Sequence, residues 1–380
     1  MKLKLQLPRT VQGRMLLVLA GLVGVAALLW WHGPDWNAVG DAFSVVDWRW
    51  VAVAIGFNLL SVVVRALAWR TVINQAIPPP QPRFLLVFSA FSVGLMANAT
   101  LPGRVGELAR VAVLARKLPG RLGAFATLVG TVFAHRVFDL VPTVLLVITV
   151  LATAQIPHWA ITSLIVVVAI GVGLFVFAFA SARHHKRSMR FEGLGPFRRV
   201  LAMARQGLGV MRAPLPAALA ATFQSLGWLC QLFAVATAMR AFHIHQPLAV
   251  AALVLVLMNV ATILPLWPGN VGLLQAAIAL PLVAYGVAYG RGFAFGLGLQ
   301  AIEASVGIGF GLLFLAREGL SFAILRTMPG AVSAPLASDV GAAPDEPAPE
   351  TVSAARPSGA VLRALRGAST RSRRSSRRSA

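Results

Sequence analysis

Charge is what this sequence has least of. Asp, Glu, Lys and Arg make up only 12% of its 380 residues, about half the roughly 25% of an ordinary soluble domain. Such a surface cannot be that of a soluble enzyme, and the abundance of apolar residues excludes a disordered scaffold. Cysteine is nearly absent. Cys230 stands alone, which excludes a disulfide-rich secreted module, any intramolecular disulfide and a thiolate metal site. The His184-His185 and His243/His245 pairs have no carboxylate or cysteine nearby in sequence, so no metal is expected. No Walker motif occurs, so ATP hydrolysis in this chain powers nothing, and no cofactor is expected.

What is present is hydrocarbon. The hydrophobic fraction is 58% and the mean hydropathy +0.77, and the apolar residues fall in long runs. A spanning helix takes about 20 of them. Runs at 15–31, 50–73, 121–154, 159–181, 216–240, 248–264, 272–290 and 292–316 meet that need. The expected fold class is an all-α polytopic membrane protein, with about eight transmembrane helices plus Pro-Gly-broken, re-entrant elements. The 121–154 run is too long for one straight span; the reading is an interfacial helix that enters the membrane near His135. The basic start and apolar 15–31 resemble a signal sequence. They lack a small-x-small cleavage site and end in the belt pair Trp30-Trp31, so this is read as an uncleaved span.

The 34 Lys and Arg against 12 acidic residues give a net charge of +22, which in a membrane protein is first a statement about topology. Basic residues crowd into Lys2–Arg14, Arg83, Arg104–Arg121, Arg183–Arg212 and the C-terminal tail. The intervening loops carry little beyond Arg49, Arg240 and Arg291, together with Asp35, Asp41 and Asp47. Both termini are therefore expected in the cytoplasm, in a cell (inner) membrane, provided that 84–101 enters and leaves from one side. The organisation reads as a cytoplasmic N-terminus 1–14, a transmembrane domain 15–320 and a disordered Pro/Ala/Ser/Arg-rich tail 321–380. That tail is expected to lie on anionic headgroups. No aromatic residues interleave its arginines, so no specific nucleic acid is expected as a partner.

One motif occurs twice. Asn98-Ala-Thr-Leu-Pro-Gly-Arg-Val-Gly-Glu107 is echoed by Asn259-Val-Ala-Thr-Ile-Leu-Pro-Leu-Trp-Pro-Gly-Asn-Val-Gly272. Pro removes a backbone donor and Gly allows an unwound turn, so Pro102, Gly103 and Gly106, and likewise Pro268, Gly269 and Gly272, mark helix breaks. Paired breaks of this kind, in two halves related by a pseudo-two-fold axis, often line a transport path near the membrane midplane. They are then expected to approach a shared cavity.

Charges cluster after the first break. Arg104, Glu107 and Arg110 recur at every third position, which stacks a carboxylate between two guanidinium groups on one helix face. Arg geometry suits phosphate, and a helix start just after Pro-Gly offers free amides to an anion. Arg136 and Asp139 form a second pair, which is either structural or part of the path. Arg65 and Arg70 either snorkel to the interface or face the interior. Glu303 lies in the middle of an apolar run; its carboxyl either carries a proton or meets a cation from another helix. Arg65, Arg136 and the Pro268-Gly269 break are the candidates to face it.

The stretches Pro102-Gly-Arg-Val-Gly-Glu-Leu-Ala-Arg110, Ala134-His-Arg-Val-Phe-Asp139 and Pro268-Gly-Asn-Val-Gly-Leu-Leu-Gln275 resemble the lysylphosphatidylglycerol synthase transmembrane, flippase-like family, over about residues 10–320. Members usually carry Glu where this chain has His135, and often Gly and Glu where it has Asn270 and Gln275. The resemblance implies a flippase or transporter for an amphiphile with an anionic or phosphate-bearing headgroup: a phospholipid, a glycolipid or a polyprenyl-linked lipid. Its headgroup path would comprise Arg104, Glu107, Arg110, Arg136, Asp139, Glu303, Gln275 and Asn270. The best-known relatives fuse this region to a soluble aminoacyl transferase. No such domain follows Leu325, so no enzymatic activity is expected. Membrane lipids are the expected partners. The alternative is a non-transporting scaffold that recruits a glycosyltransferase or lipid-synthesis enzyme through the basic 182–214 loop and the tail.

Overall fold

The computed structural model describes residues 34–101, 105–118, 121–153, 213–262 and 270–317, with isolated positions at 24, 161, 169, 173 and 176. The 15–31 and 159–181 runs, the basic loop and the tail fall outside the described residues, almost entirely or entirely. The described elements lie in one compact unit within Met1–Ala331.

All of these elements are helices: α1 (Trp36–Ser44), α2 (Trp48–Ala76), α3 (Phe84–Thr100), α4 (Gly106–Ala115), α5 (Arg121–Thr153), α6 (Pro214–Ala241), α7 (Leu248–Ala261), α8 (Leu273–Val283) and α9 (Tyr289–Arg317). Four stretches are long and apolar enough to cross a membrane: α2, α6, α9 and Thr127–Thr153 within α5. The protein is a polytopic α-helical membrane protein. Leu145, Ile148, Leu215, Leu280, Leu312 and Leu313 point outward and exposed, as a lipid-facing belt requires.

Local chemistry sets the boundaries. Asp35 and Asp47 cap α1 and α2, accepting hydrogen bonds from the Asn37 and Arg49 amides at 3.0 and 2.9 Å. α5 is one unbroken helix that runs from Arg121 through Pro142 to Thr153. Thr143 Oγ1 bonds the Asp139 carbonyl at 2.7 Å next to that proline. The 272–290 run is also divided. α8 ends at Val283 behind Pro281, and Gly286 turns the chain with φ 75° before α9 begins at Tyr289.

α3 with α4, and α7 with α8, are two short helical hairpins. The α7 and α8 helices have 14 and 11 residues, about 21 and 17 Å at 1.5 Å per residue, too short to span about 30 Å of hydrocarbon. The first hairpin closes where Gly94 meets Gly106; a Cβ on Gly94 would sit 2.9 Å from the Gly106 carbonyl. At the open end of the second, Gln246 Nε2 donates to the Tyr285 carbonyl at 3.0 Å.

The hairpins enter from opposite ends of the bundle. The starts of α2 and α9 and the end of α6 share one end, where the Asp47 amide donates to Ala241 O at 3.0 Å and Gly290 packs on Ala38. The second hairpin opens there, and the first opens at the other end. α9 packs on both. Its first half runs antiparallel to α8, with Gly292 against Ala279 and Gly296 against Gln275. Its second half runs antiparallel to α3, with Gly307 against Leu95, Gly311 against Met96 and Phe314 edge-on to Phe88. Both tips thus point toward the Gln300–Glu303 stretch of α9, an inverted arrangement of the two motif copies.

Candidate functional site

The break before α4 places its first charged residues beside α5. Gly106 can sit against Gly94 only because neither has a side chain; a Cβ on Gly106 would overlap the Gly94 carbonyl and the Asn98 amide. Asn98 fixes the tip by accepting from the Gly106 amide at 2.8 Å. The first turn of α4 then carries Glu107 to α5, where its carboxylate pairs with Arg136, and one helical turn on with Arg110. Arg136 also reaches Asp139 at 3.1 Å. Four of the residues marked by sequence, Glu107, Arg110, Arg136 and Asp139, form one chain of alternating charge.

Side chains from α2 and α6 complete the site. Asp139 Oδ1 accepts from Gln224 Nε2 and, at 2.9 Å, from Trp228 Nε1. The Arg65 guanidinium lies 5.2 Å from the Trp228 ring centroid. Arg110 is buried between Trp69 and Phe91, at 4.7 and 5.3 Å from their centroids. Trp69 is held by its indole N–H, which donates to Thr131 Oγ1 at 3.1 Å. His135 is buried, with Nε2 3.3 Å from the Arg65 carbonyl. Arg65, Gly94, Asn98, Glu107, Arg110, His135, Arg136 and Asp139 all line one cavity. Arg70, by contrast, bonds the Pro82 carbonyl at 3.4 Å near the end of α2.

The other marked residues sit elsewhere. Asn270 (φ 46°) donates to the Ala261 carbonyl at 3.1 Å, bridging the second break. Buried Gln275 accepts from the Gly272 amide at 2.6 Å and donates to Gln300 Oε1 at 2.6 Å. Neither residue lines the charged cavity, and no described residue of the second break does. Glu303 is half-buried and accepts from Gln231 Nε2 at 2.6 Å, while Ser61 Oγ lies 3.2 Å from Gln231 Oε1. Its partner is an amide, and it has no ion pair among the described residues. Arg104, Pro102, Gly103, Pro268 and Gly269 lie outside the described residues. Among the described residues no group of His, Cys, Asp or Glu could hold a metal.

The sequence profile of the lysylphosphatidylglycerol synthase TM region matches residues 18–311. The chain belongs to that family. A UPF0104 membrane protein from Pyrococcus horikoshii is 28% identical over 132 residues, 34% of this chain and 38% of that relative. The match thus spans well under half of the relative's length. No solved structure matches.

Sequence reasoning missed the helix that joins this family member's acidic positions. Gln224, Gly227, Trp228 and Gln231 share one face of α6. They bind Asp139 at one end and Glu303 at the other, with the Arg65 stem against Gly227 between them. Two glutamines seven residues apart in an apolar run, with Trp midway, were the available signal.

Proposed function

We propose that the protein moves an amphiphile with an anionic or phosphate-bearing headgroup across the cell membrane, without enzymatic chemistry of its own and with both termini cytoplasmic. The observation that carries this reading is a cluster of guanidinium and carboxylate groups beneath a short helical hairpin, inside a membrane protein of this family. Ionisable groups at such positions are costly and mark pathways. Arg110, with Arg104 before it, would hold the headgroup and Glu107 would orient them. Arg136, whose side chain is 50% exposed, is the group free to exchange Glu107 and Asp139 for an arriving phosphate. The second hairpin tip, with Asn270 and Gln275, would form the opposite wall of the path.

The test is redistribution of a labelled anionic phospholipid between leaflets of vesicles reconstituted with the full chain, with Arg136→Ala, or with no protein. Faster movement with the parent chain, reduced at least about tenfold by the substitution, is expected. Equal rates in all three would overturn the reading.

A further inference from the structure

We infer that Arg65 is a further anion receptor of the charged cavity, beside Arg110 and Arg136, and that the site is matched to a phosphodiester headgroup of net charge −1. The identity of the ligand as a lipid rests on the transport reading; the receptor itself rests on how the three guanidinium groups of the cavity are used.

Two of them hold carboxylates before any ligand arrives: Arg136 pairs with both Glu107 and Asp139, and Arg110, whose Nε also lacks a partner, pairs with Glu107. Arg65 holds none. Its guanidinium makes no ion pair or hydrogen bond with any described residue, and its buried Nε has no partner. Asp139 and Glu303 act on it only through space. The first is already held by Arg136, Gln224 and Trp228, the second by Gln231. Its Nη groups are not among the buried atoms left without a partner, so a guanidinium without an ion pair stays open to an arriving anion, which gains charge-assisted hydrogen bonds there.

The surroundings aim it. Trp228 covers one face of the group, which leaves the N–H edges for a planar, bidentate contact. Gly227 provides the passage, since a Cβ there would sit 2.7 Å from Arg65 Cγ. Among the described lining residues, counting His135 as uncharged, three guanidinium groups face the two carboxylates of Glu107 and Asp139, leaving one positive charge in excess. A phosphodiester without a cationic substituent neutralises that excess; a zwitterionic headgroup brings its own cation and leaves it, and a phosphomonoester or a diphosphate overshoots it.

Thermal melting of the purified full chain in detergent, titrated with short-chain lipids, tests this. Dihexanoyl phosphatidylglycerol is expected to raise Tm, more than the matching phosphatidic acid and far more than phosphatidylcholine. In Arg65→Gln its apparent affinity is expected to fall at least about tenfold. Gly227→Ala, which displaces the Arg65 stem, is expected to weaken it as well. An Arg65→Gln protein that melts cooperatively with the parent's affinity would overturn the assignment. If that variant does not melt cooperatively, Arg65→Lys takes its place. Lys keeps the charge without the planar edge, and parent-like affinity there counts against the receptor. Phosphatidic acid bound as tightly as phosphatidylglycerol overturns the single-charge match. A response to inorganic phosphate alone, lost in Arg65→Gln, keeps the anion receptor and removes the lipid reading. No response of the parent to any of the four removes both.

Discussion

The indole N–H of Trp228 donates to Asp139 Oδ1 at 2.9 Å, a contact between residues 89 positions apart in the chain. The same ring carries the Arg65 guanidinium on its face. One side chain thus orients a carboxylate through its edge and a guanidinium through its π-surface, and fixes α6 against α5 and α2.

Trp228→Phe keeps a ring beneath Arg65 and removes the donor to Asp139. Hydrogen bonds to charged groups contribute about 1.5–3 kcal/mol when a buried partner is left short, so thermal or denaturant unfolding in detergent should show a loss in that range. Trp228→Leu, which removes the ring as well, should lose more, by about 0.5–2 kcal/mol. Equal stability of the two variants would show that the stacking contributes nothing.

Glu303 and Gln231 should be energetically coupled. A double-mutant cycle with Glu303→Leu and Gln231→Leu is expected to give an interaction of about 1 kcal/mol in unfolding measurements. Glu303→Gln keeps an acceptor for the Gln231 amide and should leave folding nearly unchanged while lowering transport. Full transport by Glu303→Gln would remove Glu303 from the path.

Arg136 separates stability from function. Its side chain is half exposed, so its ion pairs with Glu107 and Asp139 are screened, and Arg136→Ala should cost only about 0–1 kcal/mol of stability. Lipid redistribution in vesicles should nevertheless fall at least about tenfold with that variant. A large stability loss with unchanged transport would assign the pair a structural role.

Gly106→Ala should disrupt the first hairpin. The added carbon overlaps the Gly94 carbonyl and Asn98, so α3 and α4 have to separate, at a cost of about 1–3 kcal/mol. Gly309→Ala on α9 meets nothing within 4 Å and should be neutral or stabilising by about 0.5–1 kcal/mol, the ordinary gain of Ala over Gly in a helix. Comparing the two melting temperatures separates close packing from helix propensity.

The sequence by itself determined the solvent. Scarce charge and long apolar runs demand helices that satisfy their own backbone in lipid, and the four long spans lie where the runs predicted them. Local rules also marked Gly106 and Gly272 as parts of helix breaks, beside which α4 and α8 begin, and put Glu107 and Arg110 on one face, because spacing along a single helix needs no partner. What lay across helices was not legible. Asp139 holds Gln224 and Trp228, Glu303 meets Gln231 and, among the described residues, no cation, and Arg65 comes to rest on Trp228 between them. Each depends on how α2, α5, α6 and α9 are rotated about their axes. In a nearly all-apolar helix the pattern of apolar residues leaves that rotation undetermined. Packing fixed it instead, through close approaches such as Gly227 on Arg65 and Gly311 on Met96, where a missing side chain lets one helix seat against another.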